Sequence, residues 1–184
     1  MQIRNTTVRW GALSQFFHWT IVALIIVQWV LAEVAEDLPL GMEKFATLAR
    51  HKSIGITILT LVLLRLLWRL ANPTPELPVT LKPYQRRLAH LTHYGLYVLL
   101  FAQPISGWIM SSAANFPVSY FGLFTLPDLV QPDKQFAKFM EEVHHWLFRG
   151  IVSLALLHIF AALYHHFRLK DDVLRRMLPF GQFR

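Results

Sequence analysis

Four apolar runs of bilayer length set the terms on which this chain can fold, and the last is the most restrictive. It reads HHWLFRGIVSLALLHIFAALYHHF from His144 to Phe167, and a helix needs roughly 20 such residues to cross a bilayer. Five histidines lie within it: His144, His145, His158, His165 and His166. At about 100° per residue, the 14 positions from His144 to His158 return a helix to within about 40° of the same face, roughly 21 Å further along. His165, seven positions on, falls on that face again. Imidazoles stacked along one stripe of a membrane helix are costly and generally mark a function. His145 and His166 read instead as hydrogen-bonded or headgroup-facing side chains.

The other runs are Leu13–Ala32, His51–Leu70 and Leu88–Ser111. His18 and Gln28 inside the first, with three more spans behind it, separate it from a cleaved signal peptide. Residues 33–50 form an acidic connection with Pro39 and Gly41, expected to carry a short amphipathic turn at Met42–Leu48. Asn72–Pro83 holds four prolines and reads as an extended loop. Pro104 and Gly107 are expected to bend the third span. The segment from Ser112 to about Gln135 is expected to fold back over the bundle end, and Arg168–Arg184 is a basic tail. Only 16% of residues are charged and 54% are hydrophobic, where a soluble domain carries about 25% charged residues. The 184 residues read as one domain. The absence of cysteine excludes disulfides, Cys-ligated clusters and covalent c-type attachment, leaving histidine as the soft-metal ligand.

The charge of +7 is not gathered into a patch that would suit nucleic acid. It alternates with the spans. The lead (Arg4, Arg9) is net +2, segment 69–87 (Arg69, Lys82, Arg86, Arg87 against Glu76) is +3, and the tail (Arg168, Lys170, Arg175, Arg176, Arg184 against Asp171, Asp172) is +3. Residues 33–50 and 112–143 are each net −2. By the positive-inside rule both termini are cytoplasmic, and the expected fold is an all-α membrane protein, a four-helix transmembrane bundle. His18, nine residues after Arg9, and His158, ten before Arg168, then lie roughly 14 Å in from the cytoplasmic boundary. His51 and His144 begin their spans at the outer boundary. Two histidine pairs at two depths, each drawn from two helices, are what bis-imidazole ligation of haem in a bundle core requires. Gly55, one turn after His51, and Gly107, 14 residues after His93, offer gaps for flat macrocycles.

FFHW in the first span, RHKSIG with RLLWRL in the second, AHLTHYGLY in the third, and HHWLFRG…LLHIFAALYHHF followed by KDD…RRM resemble the bacterial cytochrome b561 family. That group includes superoxide oxidase and the cytochrome b subunits of nickel–iron hydrogenases and formate dehydrogenase. The resemblance runs from the first span to Met177. It implies an inner-membrane protein with two haem b groups, the inner ligated by His18 and His158 and the outer by His51 and His144. Electrons would pass from a periplasmic-side donor to a quinone, ubiquinone among the candidates, on the cytoplasmic side. The alternatives are a superoxide:ubiquinone oxidoreductase, a haem-bearing anchor subunit of a larger dehydrogenase or hydrogenase, and a haem-free carrier of metal ions. The oligomeric state stays open.

Around these ligands, Arg65 lies 14 residues after His51 and so at the depth of an inner haem, where a propionate would pair with it. Lys52 and Arg50 could serve the outer propionates. His90, His93 and His165 surround the cytoplasmic approach and suit a quinone that needs hydrogen bonds and protons. Trp10, Trp29, Trp68, Trp108 and Trp146 fall near span ends, as interface anchors do.

Overall fold

The computed structural model describes residues 2–78 and 81–179. Four long helices make up the body: α1 (Ala12–Asp37), α2 (Met42–Leu70), α3 (Pro83–Ala113) and α4 (Lys134–Tyr164). All four are long and apolar enough to cross a membrane. A two-residue antiparallel ladder, β1 (Ser119–Tyr120) with β2 (Phe124–Thr125), lies between α3 and α4. A π-helical turn over His165–Leu169 closes α4. Arg184 and the end of the basic tail, like residues 79–80 of the proline-rich loop, lie outside the described residues.

The helices outrun the apolar runs that mark them. α1 continues to Asp37 and α2 begins at Met42, so the expected 33–50 connection shrinks to Leu38–Gly41. Lys44 reaches back across it to the carbonyls of Leu38 (3.1 Å) and Glu36 (3.4 Å), occupying acceptors that α1 leaves open at its C-terminus. The start of α1 is fixed by buried Asn5, whose Oδ1 accepts from the Gly11 amide (2.9 Å) and the Ser14 hydroxyl (2.7 Å). Gly11 has no substitute there, since a Cβ would lie 2.2 Å from the Ile3 carbonyl. α3 opens on Pro83, with the Gln85 side chain accepting from the Lys82 amide, and it runs unbroken through Pro104. α4 starts at Lys134 because Asp133 accepts from the amides of Gln135 and Phe136.

α1 packs on α2, α2 on α3, and α3 on α4. Ile21, Ile58, Val62, Leu100 and Ile151, with residues from all four helices, meet in one buried apolar layer at mid-height. Ile151 stands seven residues from both His144 and His158, so this layer separates the two histidine levels. No Cα of α4 comes within 8 Å of α1 or α2 among the described residues. α4 is therefore joined to the bundle backbone through α3 alone, and only Met140 and Ile151 of its residues are buried.

At one end the termini meet. The Gln15 amide donates to the carbonyls of Arg176 (3.1 Å) and Leu178 (3.4 Å), and the Trp19 indole to that of Met177 (3.0 Å). Arg176 donates to the Glu76 carbonyl (2.7 Å), and the Glu76 amide to Thr7 (2.9 Å). Lead, tail and the α2–α3 loop thus form one cap, called below the termini end. The opposite, hairpin end is covered by the α3–α4 segment.

Candidate functional site

Near the termini end, His18 of α1 faces His158 of α4 with ring centroids 6.3 Å apart and planes at 73°. Nearer the hairpin end, His51 of α2 faces His144 of α4 at 6.4 Å and 69°. Each pair joins helices whose backbones stay apart. A metal held between two imidazole nitrogens at about 2 Å each would put the ring centroids roughly 6 Å apart, so both separations would suit two ligands of one metal. Rings sharing a metal–nitrogen axis are free to rotate about it, and both interplanar angles are compatible. The Nδ1 atoms of His18 and His51 are buried without a hydrogen-bond partner among the described residues.

His144 is held differently. Gln103 Nε2 lies 3.0 Å from His144 Nε2, and Ser106 Oγ lies 2.9 Å from Nδ1. An amide N–H donating to Nε2 leaves the ring proton on Nδ1, donated to Ser106, whose hydroxyl donates in turn to the Gln103 carbonyl (2.8 Å). That tautomer carries its lone pair on Nε2, as a metal ligand must, with Ser106 orienting the ring from behind. Gln103 stands where a metal bond would form. The ring lies over Gly107, where a Cβ would meet Cε1 at 3.0 Å. The room left by Gly107 is thus used by an imidazole. That at Gly55 is used by the Gln28 amide, 3.2 Å from a Cβ placed there and donating to the His51 carbonyl at 2.8 Å.

Around the His18–His158 pair, His93 packs its ring 5.2 Å from that of His158. Half-buried Arg65 is within electrostatic reach of His18, His93 and His158, at the level its spacing predicts. Its guanidinium and that of Arg69 each lie 5.7 Å from the Tyr97 ring centroid, and Arg69 also lies 6.0 Å from that of Trp10. Neither pairs with a carboxylate among the described residues.

The remaining candidates separate. His165 Nδ1 is bonded to Asp171 Oδ2, across the turn that reverses the tail. His90 is exposed and stacks on Tyr94, away from the cluster. Lys52 Nζ donates to the Phe116 carbonyl (3.1 Å) and ties the hairpin segment to α2. Gln103 and Ser106 have no place in the sequence reading, and Tyr97 enters it only as the last residue of AHLTHYGLY. Polar residues inside an apolar run, at i, i+3 and i+4 from one another as Gln103, Ser106 and Gly107 are, were the available signal. No group of three or more His, Asp or Glu side chains gathers as a metal site among the described residues.

Residues 9–180 match the model of the prokaryotic cytochrome b561 family. The chain belongs to that family. It is a membrane cytochrome b561 and therefore an electron-transfer protein of the haem b type. It is 37% identical over 181 residues to cytochrome b561 homolog 2 of Escherichia coli, covering 97% of this chain and 95% of that one. Against the probable superoxide oxidase CybB of Yersinia pestis it is 32% identical over 171 residues, with 93% and 96% covered. Cytochrome b561 homolog 1 of Escherichia coli matches at 25% over 173 residues, with 93% and 97% covered.

Proposed function

We propose that this cytochrome b561 carries electrons across the bacterial inner membrane through two haem b groups, from a donor at the hairpin end to a quinone at the termini end. The termini end is assigned to the cytoplasm because the lead, the 69–87 segment and the tail are each net positive, while both opposite connections are net negative. The observation that carries the reading is the pair of facing histidines at each of two depths, in gaps between helices whose backbones do not touch.

In this reading His18 and His158 hold the inner haem, and His51 and His144 the outer. Haem b, when bound, supplies a one-electron couple at each level. Arg65 and Arg69, cations with no carboxylate partner among the described residues, supply charge and hydrogen bonds for acidic propionates. Ser106 holds the His144 ring by Nδ1 so that Nε2, which bonds the Gln103 amide here, points where the haem iron would sit once that amide gives way, and Gly107 gives that ring its space. The Ile21–Val62–Leu100–Ile151 layer excludes water between the two levels. At the termini end, either His93 beside His158 or His165 at the tail turn can hydrogen-bond a carbonyl oxygen of a quinone such as ubiquinone. Asp171 orients His165 by its Nδ1, leaving Nε2 available. His90 sits outside this cluster, where a quinone would enter from the lipid.

Superoxide as the donor is a second reading, favoured by the name of the Yersinia pestis relative. Haem quantitation tests the core of the proposal. Wild type should hold two haems per chain, and His18→Ala and His144→Ala one each. One haem in wild type, or loss of both from either variant with helix content intact, would overturn the two-level assignment.

A further inference from the structure

We propose that the β1–β2 hairpin is a lipid-inserted element, seated in the acyl–headgroup boundary of the leaflet at the hairpin end. Its partner is the bilayer itself. The first observation is chemical. No residue from Ser111 to Pro127 is charged, and the stretch includes Phe116, Val118, Tyr120, Phe121, Leu123 and Phe124. Phe121, Leu123 and Phe124 are 54%, 77% and 58% exposed, so the hairpin tip presents its apolar side chains outward instead of burying them on the bundle.

The second observation is the height at which this tip is held. Ser53 Oγ donates to the Ser119 carbonyl (3.1 Å) and accepts from the Phe121 amide (3.0 Å), while Thr57 and the Tyr120 hydroxyl are bonded at 3.1 Å. Ser53 and Thr57 belong to the charge-free stretch of α2 between Lys52 and Arg65. A hydrocarbon slab about 30 Å thick, centred on that stretch, places Ser53 roughly 7 Å inside its edge. Interfacial elements bury their apolar faces about 5–10 Å deep. The hairpin tip is therefore held at the depth of such elements.

The backbone suits this position. The Leu123 amide donates to Tyr120 and the Leu126 amide to Val118, both at 2.9 Å, so the hairpin carries these two amides into the boundary already paired. The turn itself favours the same conclusion. Phe121 adopts φ 49° and Gly122 φ 76°, a pair of left-handed residues for which Asn-Gly is the unstrained choice. A phenylalanine in that position accepts strain to put an aromatic ring at the tip. Insertion would also steady the segment that grips Lys52 and Ser53, the two residues following His51.

The chain contains no cysteine, which permits a direct test. Leu123→Cys, Phe124→Cys and, as a reference, Asp128→Cys would each carry a nitroxide in haem-loaded protein reconstituted into phosphatidylcholine vesicles. Power-saturation EPR would compare collisions with oxygen and with a water-soluble nickel chelate. The oxygen-to-nickel ratio at positions 123 and 124 should exceed that at 128 several-fold. Equal ratios would put the tip in water. Protection from both reagents would show it covered by protein, whether by a second copy, a partner or the bundle. Either result overturns the proposal.

Discussion

Arg65 gives the residue scale its sharpest test. A guanidinium with no carboxylate partner among the described residues, stacked on Tyr97 and near three histidines, favours whatever added electron density lies beside it. Arg65→Leu should lower the midpoint potential of the inner haem, leaving the outer one in place. A lost interaction on the order of 1 kcal/mol corresponds to roughly 40 mV for a one-electron couple. Potentiometric titration decides it, and two unchanged potentials would return Arg65 to a snorkelling cation. The histidine ladder was legible because the 14-residue return from His144 to His158 and the depths of His18 and His51 can be counted along single helices. The Gln103–Ser106 grip on His144 was not, since periodicity says which residues share a face and not which face a neighbouring helix presents. Gly107 reads from the sequence as a gap for a macrocycle, and its neighbour in the structure is the His144 ring.

At the scale of elements, hydropathy located all four long helices, and several of them run past the apolar runs that mark them. It marks the crossing of the hydrocarbon, whereas a helix continues until its caps stop it, as Asp133 does eleven residues before the apolar run of α4. The cap at the termini end was invisible to pattern because its bonds run from side chains to backbone carbonyls far along the chain. Gln15 is the hub of that cap. It is buried, and its amide reaches Trp10, Arg176 and Leu178 carbonyls. Gln15→Ala should leave α1 intact and loosen the tail by about 1–2 kcal/mol, raising its open population roughly 5- to 30-fold. Trypsin cleavage after Arg175 and Arg176 would accelerate accordingly. An unchanged cleavage rate would mean that the Trp19 and Arg176 bonds hold the tail without Gln15.

For the whole molecule, the distribution of charge restricts the donor. The two connections at the hairpin end together carry −4, and the cations closest to His51 are Arg50 and Lys52, with Lys44 further back. Lys44 is turned toward the end of α1 and Lys52 toward Phe116, which leaves Arg50 exposed within an acidic rim. A field of this sign repels a small anion at long range, where a cationic funnel would raise its on-rate 10-fold or more. Superoxide should therefore reduce this cytochrome well below the diffusional ceiling. Raising the ionic strength to about 0.1 M, where screening acts within roughly 10 Å, should speed the reaction or leave it unchanged. A neutral or basic donor would be favoured by the same field. Stopped-flow reduction across a salt series separates these cases. A near-diffusion-limited rate that falls steeply with added salt would show that the local charge of Arg50 and Lys52 outweighs the rim, and superoxide would then be the donor the surface is built to attract.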